Sequence, residues 1–154
     1  MSRLVLPLIV VVCVLAGAVA QAEWPFFGAK KAPAEIAWVD GTADAFVAAR
    51  QTGRPILVYV TAEQCGFCRK MERETWSDPA VAELVAAGFV PLKLNADHHP
   101  DEVAALRIKA YPTTVLVSPQ GKPFAGRAGF LGPEKLAELL QPAVATNEIR
   151  QPLN

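Results

Sequence analysis

Two cysteines stand two residues apart in the stretch EQCGFCRK, at positions 65 and 68. A Cys-x-x-Cys pair can form a structural disulfide, exchange disulfides with other proteins, or supply two ligands of a metal site. A disulfide that closes so short a loop restricts the unfolded chain little and therefore stabilises the fold weakly. A purely structural bridge is for this reason a poor explanation of the pair.

The redox interpretation requires a stabilised thiolate, because the thiolate and not the thiol attacks a disulfide. Cys65 follows the β-forming run PILVYV and is expected to begin a helix, where unpaired backbone N–H groups and the helix dipole favour negative charge. Cys68 then lies one turn later on the same side. Cys65 would attack a partner's disulfide, and Cys68 would displace the partner and leave the pair oxidised. Arg69 and Lys70 add positive charge nearby, although a solvated helix face is the favoured interpretation of both.

A metal site is the main alternative for the cysteine pair. Cys-x-x-Cys is half of a common four-ligand zinc set, and His98 and His99 lie downstream. The sequence has no second Cys-x-x-Cys, and adjacent histidines project in different directions. We therefore assign no metal ligand and interpret the histidines as part of a polar loop ahead of Pro100. A zinc or copper site is left as the disfavoured alternative.

The composition predicts one compact domain: the chain has 154 residues, 52% of them hydrophobic, with 15 basic and 15 acidic side chains. Since basic residues are not clustered, nucleic-acid binding is not expected. Residues 1–22 combine a basic start, an apolar run and small residues at possible cleavage positions, which is typical of a secretory signal peptide. Cleavage is favoured over a membrane anchor at residues 4–20, because that run barely reaches spanning length. Cleavage would also remove Cys13 and leave only Cys65 and Cys68.

The remaining chain divides into an extended leader (23–37), a folded domain (38–145) and a tail (146–154). Apolar patterns in the domain predict two β-α-β crossovers, a β-hairpin and a terminal helix. The resulting fold class is α/β, a three-layer sandwich with a mixed central sheet flanked by helices, in which Cys65 lies at the exit of a central strand. The predicted helices are 43–51, 65 to 74 or 75, 79–88, 101–108 and 133–144, and the predicted strands are 55–60, 89–94, 113–117 and 124–128.

The stretch TAEQCGFCRKME resembles the active-site sequence T-A-x-x-C-G-x-C-x-x-M-E of exported thioredoxin-like proteins. The tripeptide YPT, which begins at Tyr111 just ahead of a predicted strand, is a second match. Over nearly all of its predicted domain the chain therefore resembles the thioredoxin superfamily. The resemblance implies a thioredoxin-like fold in which Pro112 is cis beside the two sulfurs and the backbone of Tyr111 is free to pair with a substrate strand. It also implies thiol–disulfide oxidoreductase activity, with no cofactor other than the redox-active Cys65–Cys68 disulfide.

The same resemblance implies roles for single residues. Lys93 falls where thioredoxins have a lysine near a buried acid that assists proton transfer. Gly129 falls at the glycine of the substrate groove that follows the hairpin. The assigned site residues are Cys65, Cys68 and Lys93 for catalysis, and Gly66, Phe67, Tyr111, Pro112 and Gly129 for substrate binding.

Three residues depart from the family pattern. Tyr59 takes the position of the buried acid, so that Glu63 or a water molecule would have to accept the proton of the resolving cysteine. Gln64 replaces a tryptophan before the first cysteine, and Phe67 replaces a proline between the cysteines. Because both changes alter the docking surface and the reduction potential, we expect a partner different from that of cytoplasmic thioredoxin.

Three functions are consistent with these residues. The favoured one is a monomeric reductase of protein disulfides, periplasmic or secreted, that receives its electrons from a membrane-bound donor. The second is the same chemistry run as a disulfide oxidase or isomerase, which the lack of a dimerisation domain disfavours. The third is a non-catalytic binding or copper-carrying module that uses the same cysteines.

Overall fold

The computed structural model describes residues 35–39 and 41–150. The predicted signal peptide, the predicted leader up to residue 34 and residues 151–154 lie outside the described residues. Within the described part, no helix combines the length and the apolar character needed to cross a membrane.

Helices and strands alternate along the described chain, as the apolar pattern predicts. The helices are α1 (Thr42–Thr52), α2 (Gly66–Met71), α3 (Pro79–Gly88), α4 (Pro100–Ala105) and α5 (Pro133–Arg150), and a π-helical turn (Glu72–Trp76) continues α2. The strands are β1 (Ile56–Thr61), β2 (Val90–Asn95), β3 (Thr113–Val117) and β4 (Pro123–Ala128).

Several ends differ from their predicted positions. Helix α4 stops at Ala105, short of the predicted residue 108, because the chain turns at Arg107, whose φ of 55° is left-handed. Helix α5 continues past the predicted end at residue 144 and runs through Pro142 into the predicted tail. A proline removes one helical hydrogen bond, and here the helix on either side of it is retained.

Residues on both sides of the predicted boundary between leader and domain pack on the rest of the fold. Ile36 is buried in the core, and the backbone N–H of Val39 donates a hydrogen bond to the carbonyl of Pro91 at 2.8 Å. This short segment therefore lies alongside β2 as an additional, isolated parallel bridge.

The sheet has the strand order β2-β1-β3-β4. Strand β2 is parallel to β1, as predicted, whereas β3 is antiparallel to β1 and β4 is antiparallel to β3. The predicted second parallel crossover is therefore wrong. A parallel crossover must return the chain to the opposite end of the sheet, whereas the segment between β2 and β3, which contains α4, leaves and re-enters the sheet at one end. The sheet is mixed because β3 enters it from the end at which β2 leaves.

Strand β1 is buried on both faces, and successive side chains along it enter two separate cores. Leu57 and Tyr59 pack against α3, α5 and the π-helical turn. Val58 and Val60 pack against α1 and α4. The structure confirms the predicted α/β class, a mixed central sheet between two layers of helices.

An aromatic cluster fills the first of these cores. The ring of Tyr59 lies 5.9 Å from that of Trp38 and 5.0 Å from that of Trp76, and the two indoles meet edge-on at 5.2 Å. The Tyr59 hydroxyl donates a hydrogen bond to the backbone carbonyl of Cys68 at 3.2 Å. Burial raises the pKa of Tyr59 to about 12, and the negative charge of Glu72 acts in the same direction. Tyr59 is therefore neutral near physiological pH.

This pKa predicts how the stability of the fold depends on alkaline pH. Folding raises the pKa of Tyr59 from 10.0 to about 12, so its contribution to the free energy of unfolding is complete below pH 10 and is lost as the pH rises towards 12. We expect Tyr59→Phe to be about 1 kcal/mol less stable than the wild type at neutral pH, through the lost hydrogen bond. Above about pH 10 the difference in free energy of unfolding between the two proteins should narrow. Only in the wild type does folding hold the hydroxyl of residue 59 in its neutral form.

Urea unfolding at a series of pH values measures both effects. Tyr111→Phe, which alters an exposed tyrosine, is the matched control and should show the wild-type loss of stability. If the wild type and Tyr59→Phe lost equal amounts of stability at alkaline pH, that would contradict the buried, neutral state of Tyr59.

Candidate active site

The cysteine pair lies where β1 has ended and α2 begins. Cys65 is the N-cap of α2, in an extended backbone conformation, and its Sγ accepts a hydrogen bond from the backbone N–H of Cys68 at 3.1 Å. The two residues form a disulfide, with their Cα atoms 5.2 Å apart. The structure confirms the prediction that Cys65 begins a helix and that Cys68 follows one turn later.

The two sulfur-bearing residues differ in access to solvent. Cys65 is half-buried and lines a surface groove, whereas Cys68 is only 1% exposed. A partner protein can therefore reach Cys65 and not Cys68. At the start of α2, Cys65 Sγ lies beside the backbone N–H of Cys68, a position that favours the charged form of a thiol.

The groove beside Cys65 has a volume of about 510 Å³. It brings together the predicted substrate-contact residues Gly66, Phe67 and Tyr111. Phe67 is 65% exposed and Tyr111 is 39% exposed, so both rings are available to a bound partner. The complete lining consists of Ala62, Glu63, Gln64, Cys65, Gly66, Phe67, Asp97 and Tyr111.

Pro112 and Gly129, the other two predicted substrate-contact residues, are hydrogen-bonded to each other and do not line this groove. The Tyr111–Pro112 peptide bond is cis, as the resemblance implies. The backbone carbonyl of Pro112 accepts a hydrogen bond from the N–H of Gly129 at 2.7 Å. Gly129 has a φ of 93°, in the left-handed region that glycine adopts most readily. Its presence lets the chain after β4 turn back onto the loop that carries Pro112.

Lys93, the predicted proton-transfer residue, is paired with an acid that the sequence analysis missed. Its Nζ lies 2.7 Å from Oε1 of Glu72 and 6.0 Å from the centre of the Tyr59 ring. Glu72 stands four residues after Cys68, a spacing that places two helical side chains on the same face. That spacing is the signal that identifies Glu72 in the sequence.

Glu63, suggested as a substitute for the buried acid, lies on the rim of the groove. Its backbone N–H donates to Oδ2 of Asp97 at 2.8 Å, and its Oε1 lies 3.1 Å from Nε2 of His98. The sequence analysis also missed Asp97, which follows β2 at the carboxyl edge of the parallel strands, where open sheets carry their functional loops.

Arg69 and Lys70, the two basic residues after Cys68, have local partners. The guanidinium of Arg69 donates to the backbone carbonyl of Glu63 at 3.3 Å. The ammonium of Lys70 lies 4.6 Å from the centre of the Phe130 ring and 3.8 Å from Oε2 of Glu74. Arg69 is exposed and Lys70 half-buried, in keeping with the favoured interpretation of a solvated helix face.

The two histidines have separate acidic neighbours. His98 lies beside Glu63, and Nδ1 of His99 is 3.4 Å from Oε1 of Glu102. Among residues 35–39 and 41–150, no three His, Cys, Asp or Glu side chains are grouped so that they could hold a metal ion.

Comparison with known sequences finds, along most of the chain, the family that the sequence resembles. The family model described as a thioredoxin-like domain matches residues 42–143. Spermatogenesis-associated protein 20 of Homo sapiens is 27% identical in an alignment of 103 residues that covers 62% of this chain. The match covers 13% of the human protein, so the chain corresponds to a small part of that relative.

Comparison with solved structures finds the same fold. A thioredoxin from Thermus thermophilus is 26% identical, with a TM-score of 0.64, over 76% of this chain and 94% of that one. The DsbH oxidoreductase superposes with a TM-score of 0.62 over 71% of this chain and 88% of its own, at 17% identity, which shows a common fold. The Cys65–Cys68 disulfide, the groove and the cis-proline all lie inside the range that the family model matches. The chain belongs to the family of thioredoxin-like domains.

Proposed function

We propose that this protein is an exported thiol–disulfide oxidoreductase that works in the reducing direction. The observation that carries the proposal is the asymmetric disulfide, in which Cys65 lines an open groove and Cys68 is 1% exposed. One sulfur is placed to meet a partner and the other to resolve the intermediate. Membership of the thioredoxin-like domain family supports the same chemistry.

The reaction begins with both cysteines reduced. The Cys65 thiolate attacks one sulfur of a partner disulfide, a bond forms between the two proteins, and the partner's other sulfur leaves as a thiolate. Cys68 then loses its proton and attacks Sγ of Cys65, which releases the partner's second thiolate. Two electrons have passed to the partner, and the Cys65–Cys68 disulfide remains. An external dithiol must reduce it before the next cycle.

The local geometry favours both steps. The backbone N–H of Cys68 already points at Sγ of Cys65, so a donor is in place for negative charge on the attacking sulfur. The disulfide forms across one turn of backbone, which keeps the resolving sulfur close to the mixed disulfide. Gly66 and Phe67 lie between the two cysteines and line the groove beside Cys65.

The reducing direction depends on the reduction potential of the pair. Thioredoxins have reduction potentials of about −270 mV, whereas the strongest periplasmic oxidant has one of about −120 mV. The thioredoxin from Thermus thermophilus, at 26% identity, favours the reducing end of this range. Membrane-bound electron donors and disulfide-bonded proteins are the partners of such a reductase.

Export is proposed from residues 1–22, which have the pattern of a signal peptide. The working compartment is then periplasmic or extracellular, where protein disulfides form and persist. In that environment the pair would be re-oxidised continually. A dedicated reductant is therefore part of the proposal.

Substitution of each cysteine separates the two steps. Cys65→Ser should abolish reduction of insulin disulfides, because no nucleophile remains at the groove. Cys68→Ser should form a mixed disulfide with insulin and fail to release it, because the resolving sulfur is missing. Non-reducing electrophoresis and mass spectrometry detect the trapped species. Cys13→Ser in the full chain is the matched control, and wild-type activity in Cys65→Ser or Cys68→Ser would contradict the proposal.

The role of Lys93 is tested by removing its charge. Lys93→Met keeps the chain length and leaves Glu72 without its cation. We expect release of the partner from the mixed disulfide to slow by about two- to fivefold, the scale of a half-exposed ion pair. Rapid quenching with an alkylating agent measures this rate. Lys122→Met, on the hairpin, is the control for a lost surface charge, and equal release rates in both variants would remove Lys93 from the mechanism.

A further inference from the structure

The groove beside Cys65 carries fixed charge of one sign. Glu63 and Asp97 are the acidic residues of its lining, and both are exposed. The described residues that line it include no lysine, arginine or histidine. A partner that enters the groove therefore meets carboxylates close to the sulfur that attacks it.

Asp97 is held in one orientation by the chain around it. Its Oδ2 accepts the hydrogen bond from the backbone N–H of Glu63, and its own backbone N–H donates to Oδ1 of Asn95 at 3.0 Å. One carboxylate oxygen is thus committed to the protein, and no hydrogen bond from the described residues is directed at the other. A carboxylate held in this way loses little freedom when it pairs with a cation of a partner.

Basic side chains nearby do not cancel this charge. Arg69 donates to the backbone carbonyl of Glu63, and His98 contacts the carboxylate of Glu63 at 3.1 Å. With His98 neutral, the group formed by Glu63, Asp97 and Arg69 keeps one net negative charge. Of these three residues, the two that line the groove are the carboxylates Glu63 and Asp97.

The same groove carries two exposed aromatic side chains. Among the described residues, the large hydrophobic side chains that remain exposed are Val47, Phe67, Tyr111 and Phe124. Two of these four, Phe67 and Tyr111, lie in the lining beside Cys65. They offer an apolar contact next to the acidic one.

We propose that the groove selects partner disulfides whose attacked half-cystine is flanked, within about two residues along an extended strand, by a lysine or arginine and by an apolar side chain. Glu63 and Asp97 bind the cation, and Phe67 and Tyr111 contact the apolar group. The inference rests on the proposed function, since it names the partner class of the same exchange. The exchange is unchanged: the bond from Cys65 to the partner forms as the partner's own S–S bond breaks, and the released sulfur leaves as a thiolate.

Matched peptide disulfides test the preference directly. The probes are symmetric disulfide dimers of one short peptide with the core X-Cys-Leu, where X is Lys, Gln or Glu, so that both half-cystines are equivalent. The reduced full-length protein is mixed with each dimer at low ionic strength, and oxidation of Cys65 and Cys68 is followed by quenched alkylation and mass spectrometry. Flanking charge also alters the intrinsic reactivity of a disulfide. Each rate is therefore divided by the rate at which dithiothreitol, an uncharged dithiol, reduces the same peptide dimer.

We expect the normalised rate for the Lys peptide to exceed that for the Glu peptide by about fivefold or more, and the ratio to fall towards one at high salt. The double variant Glu63→Gln with Asp97→Asn should also bring the ratio close to one. These substitutions remove both charges and keep an oxygen that can accept the existing hydrogen bonds. Asp44→Asn, an exposed acid on α1, is the matched control and should keep the wild-type ratio.

Two results would overturn the inference and can be told apart. A normalised ratio of one in the wild type, or a ratio that the double variant leaves unchanged, rejects the charge preference while thiol exchange itself stands. If none of the three peptides oxidises the reduced protein, the proposed function fails and the partner preference fails with it.

Discussion

The structure depends on one topological constraint: the connection from β2 to β3 leaves and re-enters the sheet at the same end. Strand β3 begins at Thr113, which pairs with Val60 near the end of β1. The loops that carry Asp97 and Pro112 therefore meet at the edge where Cys65 emerges. Had the chain crossed to the other end, Pro112 would lie about one strand length, ~17–20 Å, from the cysteines. Antiparallel entry of β3 is what assembles the site.

The second determinant is that an uncharged aromatic cluster, and not an ionisable acid, lies beneath the cysteine turn. Tyr59 donates to the carbonyl of Cys68 and, with a pKa of about 12, neither gives nor takes a proton near neutral pH. The charged pair found beside it, Lys93 with Glu72, is half-exposed. In the proposed reaction, this pair connects proton exchange during resolution to solvent, and Tyr59 positions Cys68 through its hydrogen bond. The same burial that holds Tyr59 neutral also anchors the helix that carries Cys68.

The sequence was sufficient for the parts of the site that local chemistry determines. A cysteine after a β-branched run predicts that Cys65 begins a helix. The cis bond at Pro112 was implied by the resemblance to the thioredoxin superfamily and not by the local pattern. The direction of β3 was not predictable in this way, because strand direction depends on where α4 sits and not on the apolar pattern of β3. For the same reason the contact between Glu72 and Lys93 joins residues far apart in sequence, and only their packing brings them together.

The length of α5 is a second feature that the local sequence pattern did not predict. Leu136, Leu139 and Leu140 on one face predict a helix that ends at residue 144, yet the helix continues to Arg150. Val144, two residues beyond Pro142, packs against Gly88 of α3. A β-carbon at Gly88 would lie 2.6 Å from a methyl carbon of Val144, so the glycine permits close approach. Tertiary contact thus packs the helix against α3 two residues beyond Pro142.

The measurement that tests the central claim most directly is the reduction potential of the Cys65–Cys68 pair. The chain without residues 1–22 would be equilibrated in metal-free glutathione buffers, and the fraction of reduced protein read by thiol alkylation and mass spectrometry. A reductase predicts a value more negative than about −220 mV, so that an upstream donor is needed to keep the pair reduced. A value less negative than about −180 mV would contradict the reducing direction and indicate an oxidase or isomerase.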